Sequence, residues 1–256
     1  MAGKIQLIST DFDGTLVCHA SDPVFDRDCM QLIGELQKEG TLWAINTGRS
    51  VGLLEEGLED FAFPLQPDFI LTSERDVFRP TARGWEAYGD WNARCAQAHA
   101  ELYDSASAVL AEVVDYVGHA TKARVIYDAE SPAGLIATSE EEMNQLTQFI
   151  DRAREKAPKF HYQRNTVYLR FCHADYHKGA ALAELARLTN TPQSAIFAAG
   201  DHHNDLSMLD GRYAAMPACP ANAIAEVKEA VRRAGGWVAE QETGAGVHEA
   251  LRHFLA

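Results

Sequence analysis

Ile5-Gln6-Leu7-Ile8-Ser9-Thr10-Asp11-Phe12-Asp13-Gly14-Thr15 is an apolar run that ends in two carboxylates and a glycine. A run of this length with β-branched residues predicts a buried strand whose C-terminal end delivers chemistry. Two carboxylates one residue apart repel each other, so keeping both ionised calls for a cation beside them. Hard oxygen ligands and an open side to the site suit Mg²⁺. A lone Asp-x-Asp reads better as a strand followed by a solvated acidic turn. Here Gly14-Thr15 follows at once and three further reactive segments lie downstream, which favours the functional reading.

Working outward, an apolar helical pattern through Met30, Ile33 and Leu36 closes at Gly40. Leu42 to Thr47 reads as a second strand ending in Thr47-Gly48-Arg49, 51–61 as a helix, and Phe69 to Thr72 as a third strand. Strands alternating with helices predict βαβ units and a parallel sheet. From about Pro80 to Cys172 the rhythm changes. A single long amphipathic helix is expected from Trp91 through Val117. Short strands 124–127 and 134–138 follow, joined by a loop holding Pro132. Ser139-Glu140-Glu141-Glu142 reads as a capping box opening a helix, and 160–164 with 167–171 reads as a hairpin. The βα rhythm then returns with a helix opened by Lys178, the strand Ala195 to Gly200, the loop Asp201-His202-His203-Asn204-Asp205, a short helix to Gly211 and a strand 213–216. A helix over 223–234 and a C-terminal helix complete the pattern.

The fold class expected is therefore α/β, a Rossmann-like parallel-sheet core with an inserted α+β layer of order α-β-β-α-β-β. The expected divisions are 1–79 for the first part of the core, 80–173 for the insert and 174–256 for the rest of the core.

The 256 residues are 46% hydrophobic, enough to bury a sizeable core, and carry a formal charge of -14. That charge argues against sequence-independent nucleic-acid binding and against an anionic membrane surface as partner. It leaves room for an anionic substrate, because a metal ion and a few local donors set the sign of one cleft. The five cysteines are an odd number with no C-x-x-C pair, which signals neither a disulfide framework nor a zinc site. With no leader-like segment at the N-terminus and no long apolar run, the expectation is a soluble, cytoplasmic protein with no membrane partner. Nothing in the sequence signals the oligomeric state. His202 and His203 are expected to face solvent, and the cysteines to act as small core residues.

Ligands of open parallel sheets bind beyond the carboxyl ends of the strands. The reactive residues met there are Asp11 with Asp13, Thr47, Lys178, and Asp201 with Asp205. This order resembles the four motifs of the haloacid dehalogenase (HAD) superfamily: Asp-x-Asp-Gly-Thr, Thr/Ser, Lys, and Gly-Asp-x-x-x-Asp. Thr47-Gly48-Arg49, Gly200 to Asp205 and the interval of the insert further resemble the Cof-type or IIB subfamily and sucrose-phosphatase-like sugar phosphatases.

The resemblance implies a Mg²⁺-dependent phosphomonoester hydrolase. Asp11 would be the nucleophile that becomes an aspartyl-phosphate, and Asp13 the general acid and base. The ion would sit on the Asp11 carboxylate, the Asp13 carbonyl and Asp201, with Asp205 as a further ligand or as a support behind the ligands. Thr47, Gly48, Arg49, Lys178 and Asn204 would meet the phosphorylated substrate. In the expected hairpin, period-two alternation sets Tyr168 and Arg170 on the face opposite Val167, Leu169 and Phe171. A polar aromatic beside an arginine suits a sugar phosphate or a similar small phosphorylated metabolite. Two other readings compete: a phosphosugar mutase of related fold, and a non-catalytic phosphosugar-binding protein, for which a general acid beside a nucleophile has no use. One departure stands out. Relatives often carry Asn-Gly after the third strand, where this chain has Thr72-Ser73-Glu74-Arg75 and loses glycine's backbone freedom.

Overall fold

Alternating side chains on the strands supply two apolar faces, and the chain covers both with helices. The computed structural model describes residues 5–128 and 131–256. Its strands are β1 (Leu7–Thr10), β2 (Leu42–Asn46), β3 (Phe69–Thr72), β4 (Asp76–Thr81), β5 (Gly84–Ala87), β6 (Arg124–Asp128), β7 (Ser131–Ile136), β8 (Phe160–Asn165), β9 (Tyr168–His173), β10 (Ile196–Ala199), β11 (Met216–Cys219) and β12 (Trp237–Val238). Its α-helices are α1 (Arg27–Lys38), α2 (Val51–Asp60), α3 (Trp91–Ser105), α4 (Ser107–Ala120), α5 (Glu140–Ala153), α6 (Lys178–Leu188), α7 (Leu206–Leu209), α8 (Ala225–Arg233) and α9 (Thr243–Leu255).

The chain divides into two compact units, one ending at Asn92 and resuming at Lys178, the other Ala93–His177. The first holds an eight-stranded sheet of order β12-β11-β10-β1-β2-β3-β4-β5, parallel from β12 to β3 and antiparallel over the last two pairings. Ile8, Trp43, Ile45, Ile70 and Phe197 pack on one side against Ile33 of α1, Leu54 of α2 and Leu251 of α9. Leu7, Ala44, Leu71 and Ala198 pack on the other against Leu182 of α6, Met208 of α7 and Val227 of α8. Burying a side chain the size of Phe197 contributes about 2 kcal/mol, so these two layers fix the sheet and with it the strand ends that carry the reactive residues.

The second unit is an antiparallel sheet of order β6-β7-β9-β8. Leu135, Phe160, Leu169 and Phe171 pack against Val109 and Val113 of α4 and Leu146 and Ile150 of α5. Among the described residues no helix is long and apolar enough to cross a membrane. All five cysteines are free, and all but Cys18 are buried.

Several expectations change. The single helix from Trp91 to Val117 is two, broken at Ala106, whose backbone sits at φ -96°, ψ 8°. The Ser105 hydroxyl donates to the carbonyls of Glu101 and Leu102, at 2.8 and 3.1 Å, and so competes with the helical ladder. Because the apolar stripe runs on across the break, periodicity alone does not reveal it. Pro132 lies in β7 opposite Tyr127 rather than in a loop, and residues 129–130 of that connection lie outside the described residues.

Ser139 does cap α5, accepting from Glu142 N at 3.2 Å, but the capping box is not reciprocal. Glu142 instead accepts from Lys122 N and Thr138 N, both at 2.7 Å. The strand expected at 213–216 begins at Met216 and contains Pro217, a residue that argues against a strand when read locally. The hairpin β4–β5 was not anticipated. It extends the main sheet beyond residue 79, and the compact units part between 92 and 93 and between 177 and 178, against expected divisions at 79/80 and 173/174.

Candidate active site

Asp11 leaves the end of β1 with its N–H donating to the Ala199 carbonyl of the neighbouring β10 at 2.9 Å, so the sheet itself sets where its carboxylate stands. Oδ1 accepts from the next backbone N–H, that of Phe12, at 2.7 Å. Phe12 is buried and packs on Phe61 and Phe63. Gly14 then turns the chain at φ +78°, and a Cβ there would come within 2.6 Å of Asp201 Oδ2. Only glycine admits both the left-handed backbone and this approach. Thr15 Oγ1 donates to Asp201 Oδ1 at 2.7 Å, orienting that carboxylate.

Lys178 heads α6 and is wholly buried. Its Nζ lies 2.9 Å from Asp11 Oδ1 and 2.7 Å from Asp205 Oδ1. Burial works against its charge, but Asp11 and Asp205 more than compensate and hold the ammonium above its ordinary range. The second Asp205 oxygen accepts from the backbone N–H groups of Asp201 and His202, both at 2.9 Å. Close packing holds this arrangement: a Cβ on Gly200 would meet Asp205 Cγ at 2.4 Å, and one on Gly179 the Ser207 carbonyl at 2.1 Å.

Among the described residues, Asp11, Asp201 and Asp205 offer oxygens within 4.8 Å of one another, as a metal ion requires. Burial, then the charge of Asp205, pushes the Asp11 carboxyl well above the usual carboxylate range against the pull of Lys178. The same two causes raise Asp201 to about 7. One ammonium does not neutralise three carboxylates, and a divalent cation with a preference for hard oxygen donors fits the set.

Asp13 is held differently. Arg49 Nε and Nη2 bind Oδ2 and Oδ1 at 2.7 and 2.6 Å, and His19 Nε2 lies 2.8 Å from Oδ1. Burial alone would raise this carboxyl, but the hydrogen bonds from Arg49 and His19 and the Arg49 charge bring it below its ordinary value. The Asp13 side chain is thus outside the acidic group. Thr47 is buried beside this clamp, its Oγ1 accepting from Arg49 N at 3.2 Å. Arg49, expected to meet substrate, is engaged by Asp13 and also donates to the Leu53 carbonyl.

Asn204 Nδ2 donates to Glu74 Oε1 at 2.9 Å. That partner and the Asp13 ligand His19 were missed in the sequence, since neither belongs to a motif and both arrive from loops. His202 and His203 are half-buried and in edge contact with each other. Neither belongs to the acidic group. Tyr168 and Arg170 lie in the second unit, where Arg170 Nε and Nη2 donate to the Tyr168 hydroxyl at 3.3 Å while Leu169 and Phe171 are buried in that unit's core.

Two strand-end carboxylates, a buried lysine and a second acidic pair on an α/β core invite comparison with known proteins. A family model for haloacid dehalogenase-like hydrolases matches residues 114–251. The chain belongs to this family. No curated protein matches it. Among solved structures, the hydrolase is similar to the sucrose-phosphatase of Synechocystis sp. PCC6803, solved with sucrose and phosphate, at 18% identity over 98% of each chain with a TM-score of 0.72. It is similar to a phosphatase of the superfamily from Bacteroides thetaiotaomicron, at 18% identity over 98% of this chain and 95% of that one with a TM-score of 0.65. A sugar phosphatase of HAD subclass IIB matches at 17% identity over 97% of this chain and 98% of that one, also with a TM-score of 0.65. At these identities the likeness is one of fold.

Proposed function

We propose that this hydrolase is a Mg²⁺-dependent phosphomonoesterase that works through an aspartyl-phosphate and acts on a sugar phosphate or a similar small phosphorylated metabolite. The observation that carries the reading is the buried Lys178 ammonium shared by Asp11 and Asp205, with Asp13 two residues beyond the nucleophile. A carboxylate nucleophile needs a fixed cation beside it, which Lys178 supplies, and a proton donor for the leaving group, the role we assign to Asp13.

Asp11 attacks phosphorus as the bond to the leaving oxygen breaks, and Asp13 gives its proton to the departing alkoxide. Water then attacks the aspartyl-phosphate while Asp13 takes a proton from it, releasing phosphate and restoring Asp11. Lys178 neutralises charge on the phosphoryl oxygens, and Thr47 and the Gly48 N–H orient them. For the acid step Asp13 must carry a proton, so substrate binding has to loosen the Arg49 and His19 clamp.

Asp11, Asp201 and Asp205, with the Asp13 carbonyl, would hold Mg²⁺. When bound, the ion withdraws charge from the phosphoryl group. Asn204 completes the phosphoryl contacts. Tyr168 and Arg170, side by side on one sheet face, are assigned to the hydroxyls and charge of the substrate, and the unit that carries them to the role of a cap.

Phosphate release from a panel of sugar phosphates and an aryl phosphate, with Mg²⁺ or EDTA, tests this. Release should require Mg²⁺ and vanish in Asp11→Asn; release that survives Asp11→Asn refutes the nucleophile, and none from any compound refutes the activity.

A further inference from the structure

Glu74 has no part in the chemistry above, yet it lies among the residues that carry it. Thr72-Ser73-Glu74-Arg75 is a tight turn with Ser73 at φ +51° and Glu74 at φ +65°, closed by Arg75 N donating to the Thr72 carbonyl at 3.0 Å. Two successive left-handed residues are the type I′ pattern that favours Asn-Gly, and side chains with a Cβ adopt it at a cost. Backbone bonds hold the turn in place. Ser73 N donates to the Arg49 carbonyl at 2.8 Å and Glu74 N to the Thr47 carbonyl at 3.0 Å. Strain kept at such a point by its surroundings suggests a use for the side chain.

Glu74 is 7% exposed. Oε1 accepts from Asn204 Nδ2 and lies against Gly48, where a Cβ would approach it to 3.2 Å. Its negative charge is also among those that support the Lys178 ammonium. Nearby, Asn204 Oδ1 and Thr72 Oγ1 are buried with no protein partner. The turn therefore sets a carboxylate between Gly48 and Asn204. Arg49, next to Gly48, grips the Asp13 carboxylate that hands a proton to the leaving oxygen. Gly48 and Asn204, which meet the phosphoryl group in the reading above, thus bring Glu74 beside the phosphorylated end of the substrate.

We propose that Glu74 is a charge filter on the leaving group, disfavouring phosphomonoesters whose alcohol bears a second anion and favouring neutral, hydroxyl-bearing ones. The inference rests on the phosphomonoesterase reading and sharpens its substrate class. Repulsion from Glu74 acts on the phosphoryl group of every substrate alike and cancels in a comparison between substrates. What survives is the penalty on the extra anion, since specificity is a difference between two affinities.

The test compares kcat/KM for a hexose phosphate and for the phosphorylated sugar acid of the same carbon number, which adds one carboxylate. It uses wild type, Glu74→Gln and Glu74→Gly, with Mg²⁺. Wild type should prefer the neutral compound, and both variants should shift the ratio toward the acid by roughly tenfold, mainly through KM. Glu74→Gln keeps the shape and removes the charge, whereas Glu74→Gly also relieves the backbone. An unchanged ratio in Glu74→Gln, or a shift in Glu74→Gly alone, overturns the filter while wild-type turnover leaves the phosphomonoesterase standing. If wild type releases phosphate from neither compound nor from an aryl phosphate, the activity fails and the filter with it.

Discussion

Lys178 is a cation with no access to water, and it stays charged because Asp11 and Asp205 lie within hydrogen-bond distance on either side. Removing it leaves two buried carboxylates uncompensated. Lys178→Met should therefore lower phosphate release by roughly a hundredfold or more and, without Mg²⁺, reduce unfolding free energy by about 3 kcal/mol, measured by turnover and by urea denaturation. Wild-type-like values for both would contradict the pairing. Arg49 acts on Asp13 in the opposite sense to burial. In Arg49→Ala the desolvation that Arg49 now outweighs is left to dominate, so the Asp13 carboxyl should rise from below its ordinary value. A carbon-detected NMR titration of Asp13 reads this, and an unmoved titration point would show that the clamp is not what holds it down. The residue types of these pairs were legible in the motifs. Which atom meets which was not, because Asp13 and Arg49 are brought together by two different strand ends.

At the scale of the element, local chemistry sets the helix boundaries well wherever a cap is present. Asp26 accepts from Cys29 N at 2.7 Å at the start of α1, satisfying a donor that has no helical partner. Asp26→Ala should cost about 1 kcal/mol, seen as a lowered midpoint in thermal melts, and an unshifted midpoint would mean the cap is replaced by solvent. The same local reasoning placed β1, β2, β3 and α6 because apolar alternation and flanking turn residues coincide there. It failed where a feature leaves the periodicity untouched, as at the Ala106 break between α3 and α4. It failed also where pairing rather than composition makes the strand. Pro217 enters β11 because β10 and β12 lie on either side, and Asp76–Thr81 becomes β4 because β3 offers it an edge.

Across the whole molecule, the formal charge of -14 coexists with three clustered carboxylates, Asp11, Asp201 and Asp205, that could hold a metal ion. Without the ion, Asp201 titrates at about 7 instead of near 3.8. The native state then keeps a proton that the unfolded chain has lost, so this group's contribution is fully present at acid pH and is lost as pH rises through about 7. Mg²⁺ requires the deprotonated carboxylate, so the rise in melting temperature on adding Mg²⁺ over EDTA should be small near pH 5 and grow to a plateau somewhat above pH 7. Below that range, Mg²⁺ uptake should release protons, read by calorimetry in buffers of different ionisation heat. A Mg²⁺ effect independent of pH would argue against Asp201 as a ligand.

The sequence by itself determined that Asp11 and Asp13 sit at a strand end, that Lys178 opens a helix, that βα units alternate around an α+β insert, and that the order of motifs is that of a hydrolase family. These are properties of neighbouring residues, set by side-chain alternation, helical period and turn chemistry. Tertiary structure alone decided that Lys178 is shared by Asp11 and Asp205, that Arg49 and His19 hold Asp13, and that Glu74 lies against Gly48 and Asn204. Each of those contacts but one joins residues of different strand ends or loops. They exist because both faces of the sheet are buried, which fixes the register of β1, β2, β3 and β10 and leaves the polar groups at their ends a single set of partners.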